Sequence, residues 1–188
     1  MTTETDLQLA RRRMRWAFPI LLLGGILLLA AASLLFFSPP SVSSGPPRIG
    51  QRLANFSLPS LSGKVTQLDQ YRGQPVLLNF WAIWCPPCRE EMPLLEAYAQ
   101  QHRTQGLVLL AINVGDEPEK ARTFVDELQL TFPILLDQEQ SLSDRLLIEA
   151  FPTSVFIDKD GVVRSIHVGR FTQEQIEAEI TPLLPPVR

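Results

Sequence analysis

The sequence predicts a mixed α/β domain behind an N-terminal apolar segment, and three observations carry that reading. From about residue 49 onward, short apolar runs alternate with helix-forming runs. The two cysteines of the 188 residues stand together as Cys85-Pro86-Pro87-Cys88, where a strand pattern gives way to a helix pattern. Ala17 to Phe37 is a run of 21 residues without a charge.

Residues 1–16 are polar and carry Arg11, Arg12, Arg13 and Arg15 against only Glu4 and Asp6. As a helix rising ~1.5 Å per residue, the apolar run of 17–37 would be about 31 Å long, enough to cross a hydrocarbon core of roughly 30 Å. Arginines on the N-terminal flank hold that end in the cytoplasm and put the rest of the chain outside. A cleavable signal peptide is the competing reading, with Ala30-Ala31-Ala32 as its small residues. The apolar run continues through Leu34-Leu35-Phe36-Phe37, which suits an anchor better. Residues 38–47, rich in proline and serine, read as an extended tether. What remains, 48–188, is the size of one compact domain. Without the four arginines and two acids of the N-terminus, totals of 17 basic and 20 acidic residues fall to 13 and 18. A mildly acidic domain gives no electrostatic reason to bind nucleic acid. Outside the cytoplasm disulfides are permitted, and a core of this size needs no staple, so the cysteines point to chemistry.

The elements follow in order. Phe56 to Pro59 and Val65 to Leu68 flank a Ser62-Gly63 turn and read as a hairpin. Val76 to Trp81 is apolar except for Asn79, as expected of a strand covered on both faces. A helix is expected over Arg89 to Gln101, kinked at Pro93, with Leu94, Leu95, Ala97 and Tyr98 facing inward. Leu107 to Val114 is a second buried strand, and Pro118 opens a helix carrying Phe124, Val125 and Leu128. Ile134 to Leu136 is strand-like, and Ser141-x-x-Asp144 is expected to cap a short helix to about Glu149. Thr153 to Ile157 and Val162 to Val168 are strands joined by an Asp160-Gly161 turn. A capping box, Thr172-x-x-Gln175, starts the last helix, with Ile176, Ile180 and Leu183 on its apolar side. His102 and His167 read as ordinary, partly exposed residues.

A thiol at a helix N-terminus faces unpaired N–H groups and the positive end of the helix dipole, both of which favour thiolate. Cys85 is therefore the expected nucleophile, and Cys88, about one turn on, the resolving thiol. A structural disulfide is the bland alternative. A zinc site would need both histidines to complete four ligands. Because neither Pro86 nor Pro87 has an N–H to offer, Cys88 N–H is left as the nearby donor to Cys85. Fewer donors imply a less stabilised thiolate and a less oxidising couple. Trp84 is expected on the apolar rim that partners press against, and Trp81 in the core.

Phe80-Trp81-Ala82, Trp84-Cys85-x-x-Cys88, Glu91 and Pro93 together resemble the membrane-tethered thioredoxin-like oxidoreductases of bacteria, the ResA, TlpA and CcmG type. The resemblance covers about Ile49 to Leu184. It implies a thioredoxin-like fold with an N-terminal hairpin extension and an inserted helix and strand over Glu117 to Leu136. It implies that Asn79 stands where thioredoxin has a buried Asp, and that Glu91 tunes the cysteines and relays protons. Alternatively, Glu91 is only a first-turn acid stabilising the helix dipole, as Glu90 is read to be. Pro152 resembles the cis proline that lies against the dithiol in this fold. Trp84, Pro86, Phe151 and Pro152 would line the partner-binding rim, although Phe151 is bulky there and Ala150 sits where many relatives carry glycine. The resemblance further implies a reductant of protein disulfides needing no cofactor beyond its own dithiol. The implied partners are apocytochrome c or its maturation proteins and a membrane electron donor of the CcdA or DsbD type. An oxidase of the same fold, a thiol peroxidase and a non-catalytic binding module are the rivals.

Overall fold

Residues 42–186 are described in the computed structural model of the protein. The expected cytoplasmic segment (1–16), the anchor (17–37) and the first residues of the tether lie outside the described residues. Among the described residues no helix is long and apolar enough to cross a membrane.

The central element is β5 (Val76–Trp81), all six residues of which are buried. It pairs in parallel with β6 (Val108–Val114), which pairs in parallel with β7 (Ile134–Asp137). On its other side it pairs antiparallel with β8 (Thr153–Ile157), itself antiparallel to the edge strand β9 (Val163–Val168). The order is β7-β6-β5-β8-β9. The two parallel steps need crossovers, supplied by α1 (Pro86–Gln101) and α2 (Pro118–Glu127). Two short helices, α3 (Ser141–Leu146) and α4 (Gln173–Glu179), complete the layers. This is a thioredoxin-like α/β arrangement with a central mixed sheet.

Strand periodicity divides the core in two. Leu77, Trp81, Leu109, Ala111, Leu136 and Phe156 face one side, where Met92, Leu95 and Tyr98 of α1, Phe124 of α2 and Ile176 of α4 cover them. Val76, Leu78, Phe80, Leu110, Ile112 and Val155 face the other, under Leu58 of the hairpin and Leu142 and Leu146 of α3. Asn79 shares the parity of Leu77 and Trp81, so its amide points to the α1 side.

The hairpin forms as β3 (Ser57–Pro59) and β4 (Val65–Gln67), and Ser60 bridges to Leu135 of β7. Within the stretch expected to be only a tether, β1 (Val42–Ser43) pairs in parallel with β2 (Arg52–Leu53).

Several local expectations need correction. Helix α1 has Cys85 at its N-terminus, as expected, and so begins three residues before the run counted from Arg89; it runs through Pro93 to Gln101. Its buried face is Cys88, Glu91, Met92, Leu95 and Tyr98, the 3.6-residue stripe counted from Cys88, which leaves Ala97 exposed and Leu94 half-buried. Ser141 does not cap α3. The Asp137 carboxylate does so from the end of β7, accepting Leu142 N–H at 3.1 Å and Ser143 N–H at 2.8 Å. That helix stops at Leu146 because Leu147 adopts a left-handed backbone (φ 53°). His102 is buried at the C-terminus of α1 against Tyr98, its Nδ1 hydrogen-bonded to Gln105 Oε1. After α4 the chain tightens into a 3₁₀ turn, so Leu184 rather than Leu183 is buried. The Thr172–Gln175 capping box closes in both directions, at 3.2 and 2.9 Å.

The turn joining β8 to β9 holds the strand that carries Pro152. Asp158 Oδ1 accepts from Asp160 N–H and Val162 N–H, each at 2.9 Å, and Gly161 takes φ +81°. A Cβ at Gly161 would also meet the Arg72 guanidinium, which can swing away, so backbone conformation sets the cost. Gly161→Ala is expected to lower unfolding free energy by about 1–2 kcal/mol in a urea titration, with the thiol chemistry unchanged.

Candidate active site

Cys85 is the N-cap of α1, at the corner where β5 ends. Its Sγ is bonded to Cys88 Sγ, closing a disulfide across a Cα–Cα distance of 5.3 Å. The cysteine pair is buried, Cys85 3% and Cys88 0% exposed. Pro86 and Pro87 occupy the first two positions of the helix, so the first amide able to reach Cys85 Sγ is Cys88 N–H, at 3.2 Å. Proline is well suited to a helix start, and here it also strips donors from the place where a thiolate would collect them.

Trp84, just ahead of Cys85, is 68% exposed. It meets Phe151 edge to face, with ring centroids 5.7 Å apart. Phe151–Pro152 is a cis peptide, and Pro152 is buried at the mouth of β8. Pro152 C=O accepts from Gly169 N–H at 2.8 Å, while the Phe151 backbone takes no part in the backbone pairing of the described residues. The site face is thus apolar, with Trp84, Pro86 and Phe151 at its surface. Trp81 lies beneath in the core against Phe124, at 4.6 Å.

Glu91 is 1% exposed, one turn beyond Cys88 on the same face of α1. Its Oε1 accepts from Asn79 Nδ2 at 3.2 Å, and the same amide group donates to Ser154 Oγ at 3.0 Å. Asn79 and Ser154 are cross-strand partners in β5 and β8. Oε2 of Glu91 and Oδ1 of Asn79 are buried without a hydrogen-bond partner. Burial pushes the Glu91 carboxyl up to about 8, and the Phe171 backbone N–H and the Arg170 guanidinium only partly oppose it. Glu90 points outward and pairs with Arg170 at 2.7 Å. Of the two adjacent acids, then, one is buried on the helix face that carries Cys88 and the other lies on the surface.

Sequence reasoning missed Ser154, and it missed a buried polar pair at the end of β6, Asn113 and Asp116. The signal for Ser154 and Asn113 is a polar residue inside an otherwise apolar strand, as at Asn79. His167 stacks on Phe171 at 3.9 Å and faces Glu179 at 3.2 Å, on the β9–α4 side of the domain.

Residues 49–166 match the AhpC/TSA family. Thiol-disulfide oxidoreductase ResA of Geobacillus kaustophilus is 36% identical over 137 residues, 73% of this chain and 79% of that protein. Thioredoxin-like protein YneN of Bacillus subtilis is 40% identical over 134 residues, 70% of this chain and 78% of that one. Among solved structures, a thiol:disulfide interchange protein DsbE from Chlorobium tepidum superposes with a TM-score of 0.66 at 27% identity, covering 76% of this chain and 99% of that one. With its Cys85–Cys88 pair set at the end of a buried strand in this fold, the chain belongs to the AhpC/TSA family of thioredoxin-like proteins and is a thiol-disulfide oxidoreductase of the ResA type.

Proposed function

We propose that the protein is an extracytoplasmic reductant of protein disulfides, tethered to a bacterial membrane by residues 17–37. The observation that carries the direction is the donor-poor setting of Cys85, with two prolines at the helix start and a single amide on the sulfur. A weakly stabilised thiolate gives up its electrons readily. In the reduced chain, Cys85 thiolate attacks one sulfur of a partner disulfide. A new S–S bond forms to the partner, the partner's own S–S bond breaks, and one partner thiolate leaves. Cys88 then loses its proton and attacks Cys85 Sγ, breaking the mixed disulfide, closing Cys85–Cys88 and freeing the second partner thiolate. Two electrons have passed to the partner.

Glu91 is suited to handle the Cys88 proton. Its carboxyl titrates at about 8, so its ionised fraction can accept a proton, it shares the face of Cys88, and Oε2 is buried without a hydrogen-bond partner. The apolar face of Trp84, Pro86 and Phe151 beside an unpaired backbone at Phe151 suits an extended segment of a partner protein. Resemblance to the ResA, TlpA and CcmG type points to apocytochrome c as that partner and to a CcdA- or DsbD-type membrane protein as electron donor.

Cys88→Ser should trap a mixed disulfide between Cys85 and its partner, visible as a dithiothreitol-sensitive band on a non-reducing gel, and Cys85→Ser should trap none. A Cys88→Ser chain that forms no adduct with any disulfide-bearing protein would sink the mechanism. The equilibrium potential of Cys85–Cys88 against a dithiol buffer should fall near thioredoxin's, roughly −270 mV. A value near about −120 mV would reverse the direction.

Glu91 also makes a prediction about pH. The folded chain keeps its proton up to about pH 8, whereas an ordinary Glu loses it near 4.5. Between those values the folded state binds more protons than the unfolded state, so stability falls as pH rises through that window and levels off above it. The loss is on the order of a few kcal/mol. In Glu91→Gln the fall should disappear from Tm measured between pH 5 and 9, and the pH profile of thiol exchange should shift. A variant with the parent's pH profiles of both would remove Glu91 from the proton path.

A further inference from the structure

Asp116 lies in the loop between β6 and α2, just after Gly115, and is buried. One of its oxygens, Oδ2, accepts two hydrogen bonds. Asn113 Nδ2 donates at 2.7 Å from the end of β6, and the backbone N–H of Ile83 donates at 2.8 Å. Asn113 is itself 1% exposed and stands beside Trp81 in the parallel ladder. No ion pair among the described residues involves Asp116. A buried carboxylate held only by hydrogen bonds is therefore aimed at the backbone that leads into the nucleophile.

That backbone is a turn. Cys85 N–H donates to Ala82 C=O at 3.2 Å, which leaves Ile83 and Trp84 as its two central residues. Ala82 is buried and Ile83 half-buried, whereas Trp84 projects into solvent. Beyond the turn, Cys85 C=O accepts from Arg89 N–H and so belongs to the helix. The helix fixes the far side of Cys85, and the contact of Ile83 N–H with Asp116 fixes the near side.

We infer that Asp116, seated by Asn113, is a positioning residue of the exchange reaction: it holds the Ala82–Cys85 turn so that Trp84 and the Cys85 sulfur face a protein partner together. This rests on the disulfide-exchange reading above. The acceptor oxygen is what the turn needs, so an amide at this position serves nearly as well as a carboxylate.

The test compares the full-length parent, Asp116→Ala, Asp116→Asn and Asn113→Ala, each reduced beforehand with dithiothreitol and freed of it, in single-turnover reduction of two substrates, insulin and the small disulfide 5,5′-dithiobis(2-nitrobenzoate). Asp116→Ala should lose about tenfold in the second-order rate constant for insulin, the scale of one charge-assisted hydrogen bond. Its rate on the small disulfide, which needs only the sulfur, should stay within about twofold. Asp116→Asn should keep most of the insulin rate, and Asn113→Ala should fall in between. Hydrogen exchange at the Ile83 amide should be slow in the parent and in Asp116→Asn. A parent that reduces neither substrate would overturn the functional reading. A parent that reduces both while a folded Asp116→Ala matches it on insulin would overturn this inference. If Asp116→Ala does not fold, an Asp116→Asn chain that folds but has lost the insulin rate, or a rapidly exchanging Ile83 amide in the parent, overturns it instead.

Discussion

The structure depends on the corner at Cys85. A strand buried along its whole length must hand the chain to a helix without leaving the backbone polar groups of the junction unpaired. Cys85 meets that demand as N-cap, with its sulfur taking the Cys88 amide while its carbonyl takes that of Arg89. The two prolines between the cysteines remove two donors that would otherwise need partners. The same substitution that makes the helix start comfortable lowers the support available to a thiolate. Local folding and redox character are thereby set by the same residues.

A second constraint acts along the buried face of α1. The face of α1 that carries Cys88 is apolar through Met92, Leu95 and Tyr98, yet it also takes Glu91 into the interior. An ionised carboxylate there would be costly without a cation. The Phe171 backbone N–H and Arg170, which is itself paired at the surface with Glu90, only partly offset burial. Asn79 and Ser154 offer a short polar row across two strands, enough to orient one carboxyl oxygen and not enough to keep the group charged at neutral pH. The result is a carboxyl that burial pushes up to about 8, on the helix face that also carries Cys88.

Much of this could be read along the chain. Strand β5 was legible to the residue because both faces are covered and its composition is continuously apolar. The capping box of α4 and the Asp160-Gly161 turn were legible because each is a bargain among near neighbours in sequence. The errors have a common cause. The buried face of α1 was misjudged because its stripe is set by Cys88 and includes an acid, which reads as surface. Helix α3 was given a local cap, whereas its amides turn to Asp137, a residue belonging to the preceding strand. His102 is polar in type and buried in fact, because the C-terminal segment closes over it: Gln105 joins it to the chain near Pro185.

By itself the sequence determined the fold class and the dithiol. Hydrophobic period, the strand-to-helix switch and the Cys-Pro-Pro-Cys spacing act over a few residues and need no distant partner. Only the tertiary structure decided what surrounds the dithiol. Asn79 meets Glu91 because strand parity and helix phase bring them to one face, and Ser154 joins them because β8 pairs with β5 in that register. Phe151 reaches Trp84, and Asp116 reaches Ile83, across separations that no local rule spans. These contacts depend on which strands are neighbours in the sheet, and that order comes from burying all the apolar faces at once.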